Sequence, residues 1–323
     1  MLEHRFGVDE MISVVAPVYN EAGVLREFHG RLVKALSSEP FEMIFVNDGS
    51  RDSSWAVLRE LAHEDPRVRL LSFSRNFGHE AAISAGLEHA EGDAVIILDS
   101  DLQDPPETIP EMIKKWKEGY EVVYGVRKER QGEGPFKRWT AMIFYRLFRQ
   151  AASFDAPLEA GDFRLLSRPV VNILKQLPER VQYLRGLVSW AGFRQTGVPY
   201  SREKRFAGET KFSLWRMLRF AFDGLTSFSS APLQLASYLG LAVTFAAFLV
   251  GLYSLYIRLF TDTAVKGWTS LLTVIIFLGG IQLLMIGVIG EYIGRIYEEV
   301  KQRPRYLIQE KIGFERDSKI LNR

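Results

Sequence analysis

The sequence predicts an α/β domain with a mostly parallel sheet, followed by two membrane-spanning helices. Short apolar runs alternate with helical stretches over residues 12–126, and polar, largely acidic segments follow four of these runs. Two later stretches, residues 233–257 and 267–290, contain no charged residue. A chain of 323 residues is long enough for one large domain with such appendages.

The apolar runs are short enough to be strands, and the segments between them have the length and pattern of helices. The predicted strands are residues 12–16, 43–46, 68–73, 94–98 and 121–125, and the predicted helices are residues 21–36, 53–63, 81–89 and 109–117. Strands with few polar interruptions that alternate with helices are typical of a parallel sheet covered on both faces. In such sheets, ligands bind outside the carboxyl ends of the strands.

Polar residues follow the first four predicted strands at that edge. The segments are PVYNE, VNDGS, SRNFGHE and DSDLQD in chain order. Since Asn, Asp, Gly and Ser favour turns in any case, one such loop could be ordinary turn chemistry. Four loops of this kind in succession favour a ligand-binding cleft.

Charge and composition exclude few classes of function. The formal net charge is +2, the chain contains no cysteine, and the N-terminal segment has acidic residues and no apolar core of signal-peptide length. Disulfides and thiol catalysis are therefore excluded, and the N-terminus is expected to be untargeted cytosolic chain. No nucleic-acid partner is expected.

Each uncharged stretch is long enough to span a membrane, since a helix needs roughly 20 apolar residues to cross a hydrocarbon core of about 30 Å. Two long buried helices of a soluble protein are the alternative, but little chain remains to cover them. Basic residues flank the pair: Arg202, Lys204, Arg205, Lys211, Arg216 and Arg219 come before it, and Arg295, Lys301, Arg303, Arg305 and Lys311 come after it. The connecting loop holds only Arg258 and Lys266. The positive-inside rule therefore predicts a multi-pass protein of the inner (plasma) membrane, with both termini and the α/β domain in the cytoplasm.

Two further segments, residues 136–153 and 213–229, are amphipathic. Core helices would show the same apolar stripe, but directly upstream of a membrane span an interfacial helix is favoured. The predicted organisation is a domain over residues 1–212, a juxtamembrane helix over 213–230, two spans within 231–292 and a cytosolic tail over 293–323.

The second predicted span and the residues directly after it carry five glycines mostly on one helix face: Gly279, Gly280, Gly287, Gly290 and Gly294. Small residues let helices approach closely in lipid. We therefore expect tight helix pairing and a possible homo-oligomer.

The segment after the fourth strand carries the most specific chemistry. Asp99 and Asp101 are two positions apart, so both carboxylates project to one side of an extended backbone. Gln103 adds a third oxygen in the same direction if the chain stays extended. Oxygen ligands with open positions suit Mg²⁺ or Mn²⁺ bound to the phosphate oxygens of a substrate.

A calcium loop of the EF-hand type also begins with Asp-x-Asp, but it needs Gly at its sixth position and Glu at its twelfth. Those positions hold Asp104 and Pro110 in this sequence, which excludes that interpretation. Because Asp104 lies directly before Pro105 and Pro106, we interpret it as a structural cap of the next helix.

The segments APVYNE, VNDGSRDSS, ILDSDLQDPPE and RFAGETKFS resemble those of family-2 glycosyltransferases of the GT-A fold. Within that family, the chain is similar to the polyisoprenyl-phosphate glycosyltransferases, a group that includes dolichyl-phosphate mannose synthases and bactoprenol glucosyl transferases. The resemblance covers nearly the whole chain. The two-span layout and the segment AGDFRLLSR look more like the bacterial bactoprenol enzymes than the eukaryotic ones.

The resemblance implies roles for individual residues. The substrate-binding positions would be Pro17, Tyr19, Asn20, Glu21, Asp48, Ser50, Asp99, Ser100, Arg127, Arg138, Arg205 and Lys211. The residues up to Ser50 would frame the nucleotide, with Asp48 near the uracil. Arg127 and Arg138 match positions that contact phosphates or the acceptor. Arg205 and Lys211 match a basic loop that closes over the site, although such a segment could also be a solvated turn.

The resemblance also implies a metal site and a reaction. Asp99, Asp101 and Gln103 match the metal-binding Asp-x-Asp-x-Gln of the family, with Mg²⁺ or Mn²⁺ as the ion. The reaction would be an inverting transfer of a hexose, with glucose favoured, from a UDP-sugar to undecaprenyl (polyisoprenyl) phosphate at the cytoplasmic membrane face. The metal would stabilise the departing diphosphate.

The predicted catalytic residues are Asp101 and Asp162. A phosphomonoester acceptor is mostly ionised near pH 7, because its second pKa is about 6, so it needs no strong general base. Asp162 lies in the region where many inverting relatives place a catalytic Asp, as a base or an orienting group. An ion pair of Asp162 with Arg164 or a neighbour is the alternative.

Three other functions stay open from the sequence. The donor could be GDP-mannose or an amino-arabinose nucleotide, although NDGS modestly favours UDP. A processive polysaccharide synthase is disfavoured because the chain has few spans and no Gln-x-x-Arg-Trp motif. A non-enzymatic membrane scaffold or lipid flippase would leave the acidic edge of the sheet unexplained.

Overall fold

The computed structural model describes residues 10–127, 160–177, 184–202 and 267–314, together with scattered positions between 238 and 260. These residues fall into two compact units. The first unit contains the described residues up to 202 together with residues 304–314, and the second contains those from 238 to 303.

The first unit is built on an eight-stranded sheet. Its strands are β1 (Ile12–Val18), β2 (Phe41–Asn47), β3 (Val68–Phe73), β4 (Ala94–Ile97), β5 (Val122–Arg127), β6 (Ala160–Ser167), β7 (Gln195–Tyr200) and β8 (Ile308–Ile312). They lie in the order β7-β5-β6-β4-β1-β2-β3-β8. The pairs β1–β2, β1–β4, β2–β3 and β5–β7 are parallel, whereas β6 and β8 run antiparallel to their neighbours. The predicted mostly parallel sheet is confirmed.

Helices cover the sheet as the apolar pattern predicts. They are α1 (Leu25–Ala35), α2 (Ser54–Glu64), α3 (His79–His89), α4 (Ile109–Lys117), α5 (Arg168–Gln176) and α6 (Leu184–Trp190), with a short 3₁₀ turn at Pro106–Thr108. Helix α1 buries Leu25, Phe28 and Leu32 on one face, as helical spacing requires. Helix α3 packs very closely on β1, since a Cβ on Gly86 would lie 2.2 Å from Cγ1 of Val15. This close packing fixes α3, whose first residues reach the carboxyl edge of the sheet.

Strand β6 was not predicted from the sequence. It lies between β4 and β5 and pairs Ile97 with Arg164 in antiparallel register. Because it runs against β4, its amino end lies at the edge where β4 ends. The strand therefore brings Asp162 to the acidic segment that follows β4.

The segment assigned to a cytosolic tail also supplies a strand. Residues 308–312 form β8, which pairs antiparallel with β3 and closes that side of the sheet. The predicted boundary at residue 293 differs from the structure, because the preceding helix continues to Val300.

The longest continuous helix among the described residues of the second unit is α7 (Trp268–Val300). Within the part of the chain that the structure describes, its segment Phe277–Val300 is the one stretch long and apolar enough to cross a membrane, with a mean hydropathy of 1.6 and no buried residue. The predicted span at 267–290 overlaps this segment only in part. Large apolar side chains such as Leu283 and Ile286 are exposed on it, as expected of a surface that faces lipid or a partner.

The first predicted span, residues 233–257, is described only in part. Its described positions are helical, and a Cβ on Gly240 would lie 2.8 Å from Cε of Met285, so two helices approach closely there. The described residues therefore contain one qualifying helix and do not support the predicted multi-pass topology. The amphipathic segments 136–153 and 213–230 and the boundary at residue 212 lie outside the described residues.

The glycines of the second predicted span have open surroundings. A Cβ added to any of them would meet no atom of the described residues within 4 Å; they are Gly279, Gly280, Gly287, Gly290 and Gly294. The predicted homo-oligomer thus stays a prediction.

Candidate active site

A cleft of about 290 Å³ lies at the carboxyl edge of the sheet. The loops that follow β1, β2, β3 and β4 all contribute to it, as the topology of a parallel sheet requires. The lining residues are Pro17, Val18, Tyr19, Glu21, Asp48, Asn76, Gly78, His79, Asp99, Ser100 and Asp101. Seven of the predicted substrate-binding or catalytic residues are therefore brought together: Pro17, Tyr19, Glu21, Asp48, Asp99, Ser100 and Asp101.

The acidic segment is not extended, contrary to the sequence-based expectation. Strand β4 ends at Ile97, residues 100–101 form a turn, and Leu102 has a φ of 59°. The turn is closed by Asp101, whose Oδ1 accepts the backbone N–H of Gln103 at 3.1 Å. Gln103 is buried and is not among the residues that line the cleft. The backbone is thus turned where the spacing argument assumed an extended chain, and the role of Gln103 as a metal ligand, which the resemblance also implies, stays a prediction.

Asp99 carries a carboxylate oxygen that lacks a hydrogen bond. Its Oδ1 is buried, and the closest charged group is Nε2 of His79 at 3.5 Å. Burial raises the pKa of Asp99 to about 6, against the lowering effect of His79 and with further raising effects from Asp162 and Asp101. A buried carboxylate oxygen without a hydrogen bond is costly, so this position fits a further group that brings positive charge.

Asp162 is the opposite case, because its charge is already paired. Arg185 of α6 donates two hydrogen bonds to it, each 2.7 Å long, and His79 lies 3.7 Å away. Burial alone would raise the pKa of Asp162, but the hydrogen bonds from Arg185 and His79 hold it well below its usual range. The alternative of an ion pair is found, with Arg185 as the hydrogen-bonded partner.

His79 stands between these two carboxylates at the start of α3. Burial alone would lower its pKa, but the hydrogen bond with Asp162 and the charge of Asp99 raise the pKa to about 9. The next residue, Glu80, has a buried Oε2 without a hydrogen bond, and burial together with the charge of Asp162 raises the pKa of Glu80 to about 7. The acidic cleft thus holds a histidinium near neutral pH.

Asp48 organises the loop after β3. Its Oδ1 accepts the N–H of Phe77 at 2.7 Å, and its Oδ2 accepts the N–H of Gly78 at 3.0 Å. Burial raises the pKa of Asp48, and these two hydrogen bonds partly offset the effect. Asp48 therefore lines the cleft while it fixes Asn76 and Gly78, which line the cleft with it.

Three other predicted residues tie the loops together. The N–H of Asn20 donates to Oγ of Ser50 at 3.0 Å, and Oδ1 of Asn20 accepts the N–H of Arg51 at 2.8 Å. Ser50 lines a neighbouring cleft of about 430 Å³ and not the first one. Ser100 is buried, and its hydroxyl donates to the carbonyl of Pro17 at 2.9 Å. These contacts fix the loops after β1, β2 and β4 relative to one another.

Arg127 lies at the end of β5 and does not line the cleft. Its Nε donates to the hydroxyl of Tyr200 at 3.2 Å, and that hydroxyl donates to Oδ1 of Asp104 at 2.5 Å. Asp104 is buried, and no side-chain cap is formed at the 3₁₀ turn or at α4. Asp104 is thus structural, as predicted, but it binds a tyrosine and does not cap a helix.

Arg138, Arg205 and Lys211 lie outside the described residues, so their predicted roles stay predictions. Asn76, Gly78, His79 and Arg185 were not singled out from the sequence. The segment SRNFGHE did place the first three at the correct edge of the sheet. No signal of spacing or composition connects Arg185 to Asp162.

The described residues contain no group of three or more His, Cys, Asp or Glu side chains arranged to hold a metal ion. Mg²⁺ does not need such a cage, since one or two carboxylates together with substrate phosphates and waters suffice. Oδ1 of Asp99, which accepts no hydrogen bond and lies beside Asp101 in the cleft, fits a cation shared with a substrate.

The α/β fold with its mostly parallel sheet is that of the GT-A glycosyltransferases. Residues 13–174 match the model of Glycosyl transferase family 2, and residues 231–296 match the GtrB C-terminal hairpin. The chain belongs to glycosyl transferase family 2, which confirms the resemblance noted in its motifs.

Similar proteins extend over almost the whole chain. The chain is 52% identical over 305 residues to the uncharacterized glycosyltransferase YkcC of Bacillus subtilis, covering 94% of each chain. It is 46% identical over 300 residues to the bactoprenol glucosyl transferase of Shigella phage SfII, covering 92% of this chain and 97% of that one. Among solved structures, glucosyl-3-phosphoglycerate synthase from Mycobacterium tuberculosis, in complex with Mn²⁺, UDP and glucosyl-3-phosphoglycerate, has a TM-score of 0.50 and 19% identity over 68% of this chain and 80% of that one. The last likeness shows the shared fold.

Proposed function

We propose that the protein transfers a glucosyl residue from UDP-glucose to a polyisoprenyl phosphate at a membrane surface, with inversion at the anomeric carbon. The observation that carries this proposal is the buried Oδ1 of Asp99, which accepts no hydrogen bond and lies beside Asp101 in the cleft. The similarity to bactoprenol glucosyl transferases over more than nine-tenths of the chain supports the choice of sugar and acceptor.

Asp99 and Asp101 would hold a Mg²⁺ or Mn²⁺ ion, which when bound neutralises the diphosphate of the donor. Tyr19, Asp48 and Asn76 line the part of the cleft that would receive the nucleotide. Ser100 keeps the loop after β4 against Pro17 through its hydrogen bond. The donor site is thus assembled from four loops on a rigid sheet.

Asp162 would orient the acceptor and not take a proton from it. Its pairing with Arg185 makes it a weak base, and an acceptor phosphate needs no base because it is already ionised. The basic residues Arg138, Arg205 and Lys211 would hold the two anionic substrates together, in keeping with the role that the sequence predicts for them.

A membrane location follows from the same relatives and from helix α7. We place the protein in the plasma membrane with two spanning helices and with the glycosyltransferase domain and both termini in the cytoplasm. The two uncharged stretches and the match of residues 231–296 to the GtrB C-terminal hairpin support this arrangement. Because the chain has no cysteine, single-cysteine variants provide a clean test. Thr263→Cys should react with a membrane-impermeant maleimide in intact cells, and Ser318→Cys should react only after permeabilisation; the reverse pattern would contradict this topology.

The reaction is tested with purified full-length protein in detergent. Radiolabelled UDP-glucose and GDP-mannose are each incubated with and without undecaprenyl phosphate, in Mg²⁺, Mn²⁺ or EDTA. We expect labelled lipid only with UDP-glucose, acceptor and metal. Transfer from GDP-mannose but not from UDP-glucose would show that the proposed donor is wrong. Transfer in EDTA would show that the reaction needs no divalent metal. No lipid product with either donor would overturn the proposal. The Asp101→Asn variant is the inactive control.

A further inference from the structure

The C-terminal segment of residues 304–314, called the strap below, belongs to the first unit and contacts β3. At the carboxyl edge, the carbonyl of Leu307 accepts the N–H of Ser74 at 3.0 Å. The ring of Tyr306 stacks on the ring of Phe73, with centroids 4.9 Å apart and an interplanar angle of 14°. The hydroxyl of Tyr306 also hydrogen-bonds to Glu88 on α3. The strap therefore meets β3 at the point where the strand ends and the cleft loop begins.

Tyr306 is linked to the cleft through two aromatic contacts. Phe73 packs edge-to-face on Phe77, with centroids 5.7 Å apart at 88°. The N–H groups of Phe77 and Gly78 bind the carboxylate of Asp48 at 2.7 and 3.0 Å. Asp48 and Gly78 both line the cleft, so the chain of contacts ends in its wall.

The loop of residues 74–78, which the strap contacts, contains a backbone conformation that favours glycine. Gly78 has a φ of 103°, a conformation that side-chain-bearing residues rarely adopt, and it lies directly before the first turn of α3. The loop contributes Asn76, Gly78 and His79 to the cleft. The strap residues Gln309 and Glu310 also line the second cleft, which shares Asn76 with the first. The strap thus borders the loop on the side away from the acidic segment.

We propose that Tyr306 is a positioning residue of the donor site, because its stacking on Phe73 holds the loop 74–78 in the conformation that receives the nucleotide. The inference rests on the proposed function for the identity of the donor, but the ordering of the loop is a property of the protein alone. The strap is then part of the donor site, although it lies more than 200 residues beyond that loop in the sequence.

Two readouts on full-length protein in detergent test this inference. The first is hydrogen–deuterium exchange of the Phe77 and Gly78 amides, which Asp48 protects in the structure. The second is the affinity for UDP, measured by calorimetry with Mn²⁺ present. In Tyr306→Ala we expect exchange of these amides to rise about tenfold. We expect UDP affinity to fall about three- to tenfold, the factor that loss of one aromatic contact produces.

Phe314→Ala is the matched control. Phe314 is also an aromatic residue of the strap, but it contacts the ring of His89 at 5.4 Å and the guanidinium of Arg69 at 5.6 Å. The pairing of Ile312 with Leu70 places it toward the opposite end of β3. Loss of this ring should weaken the strap without changing the exchange of Phe77 and Gly78 or the affinity for UDP. Equal effects of the two alanine variants would mean that the strap only adds stability, and would overturn the proposal.

Tyr306→Phe keeps the stacked ring and removes the hydroxyl that binds Glu88. We expect wild-type exchange and UDP affinity in Tyr306→Phe. If Tyr306→Ala fails to fold, Tyr306→Leu serves as the variant that lacks the ring, and it is compared with Tyr306→Phe. Unchanged loop exchange in every variant that lacks the ring would overturn the proposal. If exchange rises as expected but the wild type binds no UDP, the positioning role stands and the proposed donor is wrong.

Discussion

Asp99 and Asp162 lie 3.5 and 3.7 Å from Nε2 of His79, yet their pKa values are shifted in opposite directions. Asp162 receives two hydrogen bonds from Arg185, and its pKa lies well below the usual range. Asp99 has a buried oxygen without a hydrogen bond, and burial raises its pKa to about 6. In this pair of carboxylates, the Asp162 side is therefore electrostatically complete without a substrate, and the Asp99 side, which lines the cleft, is not.

The difference assigns a role to each side. An incomplete anionic site is stabilised only when a positive group arrives, which is the behaviour expected where a cation and a donor diphosphate bind. A carboxylate with a depressed pKa is a poor proton acceptor but a stable fixed charge. Asp162 is accordingly suited to orienting a neighbouring group, and the ionised acceptor phosphate demands no more of it.

The largest expected effect on activity comes from removing the charge of Asp99, the incomplete side of the pair. Asp99→Asn should lower kcat/KM for UDP-glucose by about 10²- to 10³-fold, because the neutral amide no longer supports stabilisation of the departing diphosphate. Initial rates of lipid labelling measure this loss, and excess Mn²⁺ should not restore it.

Asp93→Asn is the matched control for that substitution. Asp93 lies directly before the amino end of β4, at the opposite edge of the sheet, where its Oδ2 accepts the N–H of Met11 at 3.0 Å. The control should retain nearly normal kcat/KM. If Asp99→Asn were as active as Asp93→Asn, the incomplete side of the cleft would have no part in donor binding.

A smaller loss of activity is expected when the charge of Asp162, the complete side of the pair, is removed. Asp162→Asn should lower kcat by about 10²-fold, the lower end of the contribution that a positioned acid–base group makes to a rate. The KM for UDP-glucose should change little, since Asp162 is not among the residues that line the donor cleft. Steady-state kinetics with each substrate varied in turn separate the two constants, and near-normal turnover would rule out a catalytic role.

The pH profile separates a base from an orienting charge. The pKa of Asp162 lies well below its ordinary value, so its ionisation should produce no acidic limb in kcat between pH 5 and pH 8, a range well above the usual Asp pKa of about 3.9. An acidic limb in that range that disappears in Asp162→Asn would instead identify Asp162 as a proton acceptor.

The sequence could predict that Asp99 lies at the carboxyl edge of the sheet, but it could not predict that Asp162 is paired with Arg185. Alternating apolar runs and helices predict the parallel sheet, and the polar segments after the strands locate its functional edge, so Asp99 and Asp101 were found without a structure. Arg185 could not be found in this way, because its contact with Asp162 depends on how α6 packs beside β6. Strand β6 itself follows a long intervening segment, residues 128–159, that carries no pattern of alternation.

A second feature that the sequence could not predict is the local geometry after Asp101, and the role of Gln103 as a metal ligand stays a prediction. Residue spacing places Gln103 beside Asp99 and Asp101 only if the backbone stays extended, but the φ of 59° at Leu102 turns the chain. Strand β8 is a third case, since a short polar segment at the end of the sequence has no periodicity that would reveal its pairing with β3.

Metal binding should depend on pH through Asp99. The pKa of Asp99 is raised to about 6, so below that pH a cation must displace a proton in order to bind. The apparent affinity for Mn²⁺ should therefore fall about tenfold for each pH unit below about 6 and level off above it. Mn²⁺ titrations of enzyme activity from pH 5 to pH 8 measure the dependence, and a pH-independent affinity would contradict a metal site at Asp99.

The smallest effects, on stability, should have opposite signs on the two sides. With EDTA at pH 8, Asp99→Asn should raise the free energy of unfolding by about 1–2 kcal/mol, and Asp162→Asn should lower it by a similar amount. Such changes correspond to roughly 2–8 °C in Tm for a unit of this size. Thermal unfolding followed by tryptophan fluorescence detects them.

The signs follow from proton linkage. The folded pKa of Asp99 exceeds its unfolded value of about 3.9, so its contribution to stability is present below about pH 4 and is lost as the pH rises through about 6. The folded pKa of Asp162 is depressed, so its contribution is present above about pH 4 and is lost as the pH falls toward the folded pKa. At pH 8 the ionised Asp99 therefore costs stability that an amide restores, whereas the ionised Asp162 provides stability that an amide removes. Two aspartates that approach one histidine would then differ in the sign of a single measurement, and equal signs would show that Arg185 does not distinguish them.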